Sequence, residues 1–141
     1  MIYLLSQILD QSAARFPERD AFRCNGQGLT YKQLLQQANG LAHVLVDYGV
    51  KRGDRVGIYL NKSLESAIAL YGIWKAGAAY VPLDPSAPIA RTAYAINHCG
   101  IRHLITHKAK RRQIPDLVAA APHLSHGIGL PEENLSSLQG C

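Results

Sequence analysis

The sequence predicts an α/β fold, a parallel sheet with helices on its faces, on three observations. Val56-Gly57-Ile58-Tyr59-Leu60 is a continuous apolar run of strand length, as a strand covered on both faces requires. The segment from Leu64 to Trp74 is apolar on almost every side, unlike a surface helix. Strand-like and helix-like stretches then alternate, and strand–helix–strand order calls for parallel pairing through right-handed crossovers.

The elements follow in order. Leu4, Leu5, Ile8, Leu9, Ser12, Ala13 and Phe16 recur three and four apart, one face of a short helix that Pro17 ends. Asp20 to Cys24 alternates and meets Asn25-Gly26-Gln27-Gly28, a hairpin whose two glycines are expected at positive φ. Thr30 and Gln33 make a capping box for a helix with inner face Leu34, Leu35, Ala38, Leu41, Ala42, Leu45 and Val46, ending at Gly49. Lys51 to Asp54 is a turn into the 56–60 strand. Ser63 caps a helix through Lys75, expected to be heavily buried, and Gly77 stops it. Ala79-Tyr80-Val81 is a second strand broken by Pro82, Ile89 to His98 a further helix, and Arg102 to Thr106 a third strand. Together these make one half of a doubly wound layer. From Lys108 onward Pro115, Pro122, Gly127, Gly129, Pro131 and Gly140 leave at most one short helix near 116–120 in an otherwise irregular tail.

Composition narrows the function classes. The 141 residues are 48% hydrophobic and 18% charged, which excludes a disordered or fibrous chain. A chain of this size buries roughly 68–70% of its unfolded surface, so neither disulfides nor metal are required for a core. Cys24, Cys99 and Cys141 are odd in number, far apart and without a CxxC pair, which argues against a disulfide framework and a zinc cluster and for a reducing, cytoplasmic setting. Met1 to Leu5 lacks a basic flank and a cleavage pattern, so no export signal is expected. The apolar run Ala67 to Trp74 falls well short of the ~18 residues a membrane span needs.

The net charge of +5 is concentrated. No acidic residue lies between Asp84 and Asp116, while Arg91, Arg102, Lys108, Lys110, Arg111 and Arg112 do. The stretch lacks the interleaved aromatics of a nucleic-acid surface and reads as a solvated loop.

Few residues carry chemistry on their own. Neither GxGxxG nor GxxxxGK[ST] occurs. Asn61-Lys62-Ser63-Leu64 puts amides and a lysine at a helix N-terminus, where an anion could sit, although capping alone explains Ser63. His98-Cys99, His103 and His107 invite a metal reading, but no second cysteine stands at ligand spacing; surface histidines and no metal are expected. Cys24 and Cys99 read as small core residues. Asp54, Glu65, Asp84 and Asp116 form no pair on one element. Asp84 ends a strand, where open sheets place ligands, yet an Asp before Pro85 is also a common turn starter.

Trp74-Lys75-Ala76-Gly77-Ala78-Ala79-Tyr80-Val81-Pro82-Leu83-Asp84-Pro85 resembles the adenylate-forming superfamily, the AMP-dependent synthetases and ligases, most closely nonribosomal peptide synthetase adenylation domains and acyl-CoA synthetases. Trp74 stands where the family usually has Leu. Leu29-Thr30-Tyr31-Lys32-Gln33-Leu34 resembles its LTYxEL element, with Gln33 for Glu, and Lys51 to Val56 resembles its turn into the strand. The resemblance implies that residues 1–107 are the first part of the large N-terminal domain of a ligase, with 108–141 a basic loop and poorly structured tail. It marks Leu29, Thr30, Tyr31, Leu34, Lys75, Ala76, Gly77, Tyr80, Val81, Pro82 and Asp84 as family positions that are mainly structural. It implies ATP and Mg in the complete enzyme, a carboxylate substrate such as an amino or fatty acid, and a carrier-protein or CoA thiol as acceptor. The family's phosphate loop, ATP-binding acid and arginine, and C-terminal lysine have no counterpart here, so no catalytic residue carries over and no cofactor is expected for this chain alone. The expectation is a truncated ligase fragment, inactive by itself. The alternative is a non-catalytic α/β module that docks onto a chain carrying the remaining motifs.

Overall fold

The structure is a computed structural model that describes residues 4–107, 110–129 and 136–138, the last three as backbone. Its elements in chain order are α1 (Leu5–Arg15), β1 (Asp20–Cys24), β2 (Gln27–Thr30), α2 (Tyr31–Asp47), β3 (Arg55–Ile58), α3 (Leu64–Lys75), β4 (Ala79–Pro82), α4 (Ile89–Cys99), β5 (His103–Thr106), α5 (Ile114–Ala120), β6 (His126–Gly129) and β7 (Ser136–Leu138).

The main sheet has the order β4-β3-β5-β6-β7. β4, β3, β5 and β6 are parallel and β7 is antiparallel to β6. The chain steps from β3 to β4 on one side and returns past β3 to β5 on the other. That reversal sends consecutive crossover helices to opposite faces, which gives two cores. Val56, Ile58 and Ile105 look onto α1, α2 and α3, beside Leu34, Leu41, Leu45, Ile68 and Ile73. Tyr59 and Leu104 look the other way, onto α4 and α5 through Ile96, Ile101 and Leu117.

The helix ends follow from local chemistry. Thr30 Oγ1 accepts the Gln33 N–H at 3.1 Å while Gln33 Oε1 accepts the Thr30 N–H at 3.0 Å, the reciprocal capping box. α2, α3 and α4 all close on a left-handed glycine, Gly49, Gly77 and Gly100. In each the residue after the glycine donates back to the helix, Val50 to Leu45, Ala78 to Ile73 and Ile101 to Ile96, the doubly hydrogen-bonded Schellman ending.

Several expectations change. The hairpin turn takes positive φ at Asn25 and Gly26, not at Gly28, because a two-residue turn needs its two central residues there. In the tail after residue 107, α5 is the short helix expected near 116–120, whereas His126–Gly129 adds an unexpected strand paired in parallel with β5. α3 is less buried than its composition demands: Ile68, Ala69, Gly72 and Ile73 are enclosed, while Leu64, Leu70, Tyr71 and Trp74 stay partly exposed. Only Leu9 and Ala13 of the α1 stripe are buried, while Leu4, Leu5 and Ile8 stay exposed. Cys24 and Cys99 are half-buried rather than core, and Cys141 lies outside the described residues.

Candidate functional site

An open parallel sheet offers its ligand site beyond the strands' C-terminal ends where the strand order reverses, here between β3 and β5. The residues leaving β3 there are Tyr59 to Ser63, and those leaving β4 are Leu83 to Ser86. Tyr59 donates its N–H to Ile105 O at 2.8 Å, and Thr106 Oγ1 donates to Tyr59 O at 3.0 Å, so the crevice floor is closed by protein hydrogen bonds. Burial pushes the Tyr59 phenol above its ordinary range, and the negative charge of Asp84 adds to the shift.

Asp84 itself is exposed. Its Oδ1 accepts the Ser86 hydroxyl at 2.6 Å and the Ser86 N–H at 2.9 Å, an Asx turn that starts the loop into α4. The Ser86 hydroxyl, then its N–H, and last the nearby Arg91 hold this carboxyl below the usual carboxylate range against a small opposing effect of desolvation. One oxygen of the group that best fitted a ligand position is therefore already engaged in its own turn.

The α3 N-terminus is similarly occupied. Ser63 Oγ accepts the Ser66 N–H at 3.2 Å and donates to Asn61 O at 3.0 Å. Beside it, a cleft of about 280 Å³ opens between the hairpin residues Phe22 and Cys24 and the α3 residues Leu64, Ala67, Leu70 and Tyr71.

The family positions have local roles. Leu29 and Leu34 sit in the first core, with Tyr31 packed against it. The Tyr31 N–H donates to Arg19 O at 2.9 Å, tying the start of α2 to the connection between α1 and β1. Lys75 Nζ pairs with Asp10 Oδ1 at 2.6 Å across α1 and α3. Gly77 O accepts the Gly53 N–H at 2.9 Å, fixing the turn that launches β3 beside the one that launches β4. Ala76 and Val81 pack on opposite cores, and Tyr80 and Pro82 stand on the sheet's outer edge.

The basic residues do not form one patch. Arg102 precedes β5, whereas Lys110, Arg111 and Arg112 follow it, at the opposite end of a strand roughly 13 Å long. The histidines are not simply surface groups either. His103 is buried and stacks on His126 with ring centroids 5.0 Å apart. No group of three His, Cys, Asp or Glu residues able to hold a metal occurs among the described residues.

Two features escaped the sequence reading. His126 lies in a glycine-flanked strand with no strand-like composition. A chain of rings, Phe22, Tyr71, Trp74 and Tyr80, also runs from hairpin to α3 to sheet edge, with successive centroids 6.3, 5.4 and 5.9 Å apart. The aromatic spacing at 71 and 74 places two of them on one helix face, but only the fold adds the others.

Ser63 and one oxygen of Asp84 are engaged in a cap and a turn, and the crevice floor presents main-chain groups that are already paired.

The comparisons with known proteins agree with the architecture. Residues 9–137 match the model of the AMP-binding enzyme family. The chain is 36% identical over 118 residues to N-(5-amino-5-carboxypentanoyl)-L-cysteinyl-D-valine synthase of Streptomyces clavuligerus, covering 82% of this chain and 15% of that protein. It is 40% identical over 110 residues to surfactin synthase subunit 1 of Bacillus subtilis (strain 168), covering 78% of this chain and 3% of that protein. Among solved structures it superposes with a TM-score of 0.84 and 25% identity on the anthranilate CoA ligase AuaEII in complex with anthranoyl-AMP, covering 91% of this chain and 25% of that one. The chain thus spans a small part of each relative's length, 15% or less of these two curated relatives. No helix of the described residues is long and apolar enough to cross a membrane. Matched by the family model over residues 9–137 and by these relatives over most of its length, this protein belongs to the AMP-binding enzyme family, the adenylate-forming superfamily of nonribosomal peptide synthetase adenylation domains and acyl-CoA ligases.

Proposed function

We propose that this chain is the scaffold portion of a ligase domain that activates a carboxylic acid with ATP as an acyl-adenylate for transfer to a thiol, and that it performs no chemistry alone. The observation that carries this reading is the use of residues 75–84. Lys75 ties α1 to α3, Gly77 reverses the chain, Tyr80 to Pro82 form an edge strand, and Asp84 closes an Asx turn, so the family motif is consumed by structure. Stabilising the charge that develops on transferred phosphoryl and acyl groups needs several preorganised donors or cations; at this crevice Ser63 is engaged in its cap and Asp84 in its turn. The test is ATP–pyrophosphate exchange by the purified chain with a panel of amino and fatty acids. Exchange no greater than a protein-free control supports the reading; exchange above it refutes it.

A second reading, a module that docks onto a separate chain carrying the remaining motifs, is favoured by the outer edge of the sheet. Ala79 donates to Asp54 O and Leu83 to Ile58 O, so the backbone of Tyr80 and Pro82 points away from β3. Proline has no N–H there, so the edge offers a short ladder only, and the ring stripe beside it supplies the apolar area. Its occupant is an apolar segment of an adenylate-forming polypeptide. Trp74 is the one tryptophan, so its emission reports cover directly. A blue shift on adding the remainder of a related adenylation domain, lost in Tyr80→Arg but kept in Tyr94→Arg on α4, supports docking; equal behaviour of the two variants rejects it.

A further inference from the structure

We propose that the stacked His103 and His126 rings form an acid-released latch that holds β6 against β5 and the end of α2. The two residues are register partners in the β5–β6 parallel pair, so their side chains leave the same face side by side. Their rings lie 5.0 Å apart and 10° from parallel, and the Tyr48 ring stands 4.6 Å from that of His126. His103 Nε2 lies 3.0 Å from Tyr48 O, so the neutral ring donates there and carries its proton on that nitrogen. His126 Nδ1 is buried with no hydrogen-bond partner among the described residues.

The ionisable groups facing His103 are His126 from β6, Asp54 from the turn before β3 and Arg102 from the start of β5, with Tyr48 from α2 offering its carbonyl. Burial is the largest influence and pulls the His103 pKa below the ordinary 6.5; the Tyr48 carbonyl opposes it, His126 reinforces it, Asp54 opposes and Arg102 reinforces. The closed state thus prefers a neutral ring, while a strand that has swung away lets it charge. The stabilisation from the neutral His103 is complete above the ordinary histidine pKa and falls as the pH drops below it, because the open state then binds more protons. The latch joins two local neighbourhoods only, so acid should release β6 and the chain attached to it before β3, β4 and α3.

Amide hydrogen exchange on the intact chain tests this. Protection factors for Gly127 and Ile128 should fall about tenfold between about pH 7.5 and about pH 5.5, the ceiling for one histidine that titrates normally only when open. Those of Val56 and Ile58 should fall by less. In His103→Gln, whose amide can still donate to Tyr48 O but cannot titrate, the β6 response should shrink below about twofold. β6 protection that changes no more than that of β3, or a full response retained in H103Q, overturns the proposal. If H103Q does not fold, the His103 ring resonances of the wild-type chain decide: a titration midpoint below 6.5 supports the latch, and one at or above it rejects it.

Discussion

Substituting Gly72 by alanine tests the closeness of α2 and α3, on which the first core depends. A Cβ at Gly72 would stand 2.6 Å from Leu41 Cδ2, 2.8 Å from Cγ and 2.9 Å from Cβ. Carbon atoms prefer about 3.5–4.0 Å, so the overlap is near an ångström. Turning the Leu41 side chain moves its Cδ2 but leaves its Cβ, and Leu41 is fully buried with nowhere to go. The helices must separate instead. Overpacking of this kind costs about 1–3 kcal/mol, against about 1 kcal/mol that alanine returns through helix propensity. The net expectation is a loss of about 0–2 kcal/mol, read by urea unfolding followed at Trp74. Leu41→Ala alone should cost about 2–5 kcal/mol by leaving a cavity. In Leu41→Ala/Gly72→Ala the new methyl refills part of that cavity, so the pair should lose less than the two separate losses together by at least ~0.5 kcal/mol. A Gly72→Ala chain more stable than wild type would show that the helices do not touch there and would refute the packing described.

Three further outcomes follow from the same geometry. Thr30→Ala removes the hydroxyl that accepts the Gln33 N–H and should cost about 1 kcal/mol in the same unfolding assay. Ser86→Ala removes the larger of the hydrogen bonds that hold Asp84 low, so its carboxyl should titrate closer to the ordinary 3.8 by NMR. Because the folded pKa is depressed, any contribution of this carboxylate is present above 3.8 and is lost as the pH falls through the lowered value. Lys75→Met breaks a pair with a half-exposed Asp10 and should cost no more than about 1 kcal/mol.

What the sequence disclosed were the features set by neighbours along the chain. The Thr30 and Gln33 cap, the glycine endings at 49 and 77, and the parallel pairing of β3, β4 and β5 all rest on local spacing or on handedness, and all appear. The 126–129 strand was illegible because its pattern, Ile128 between two glycines, has no strand propensity; its register against β5 creates it. The same register makes His103 a buried, stacked ring rather than a surface one. The apolar character of α3 was legible, but its incomplete burial is a property of what packs on it. At the candidate site, the sequence indicated the position of Asp84, while only the coordinates reveal that Ser86 occupies its oxygen.

The central claim is that this chain provides scaffold and that the chemistry and the choice of acid belong to the rest of an adenylate-forming domain. The most direct measurement replaces the matching N-terminal segment of a related adenylation domain, such as one from surfactin synthase subunit 1, with residues 1–107 of this chain and assays ATP–pyrophosphate exchange. The account predicts a folded chimera that exchanges with the amino acid of its host domain. A folded chimera that is inactive, or that activates a different acid, would contradict it.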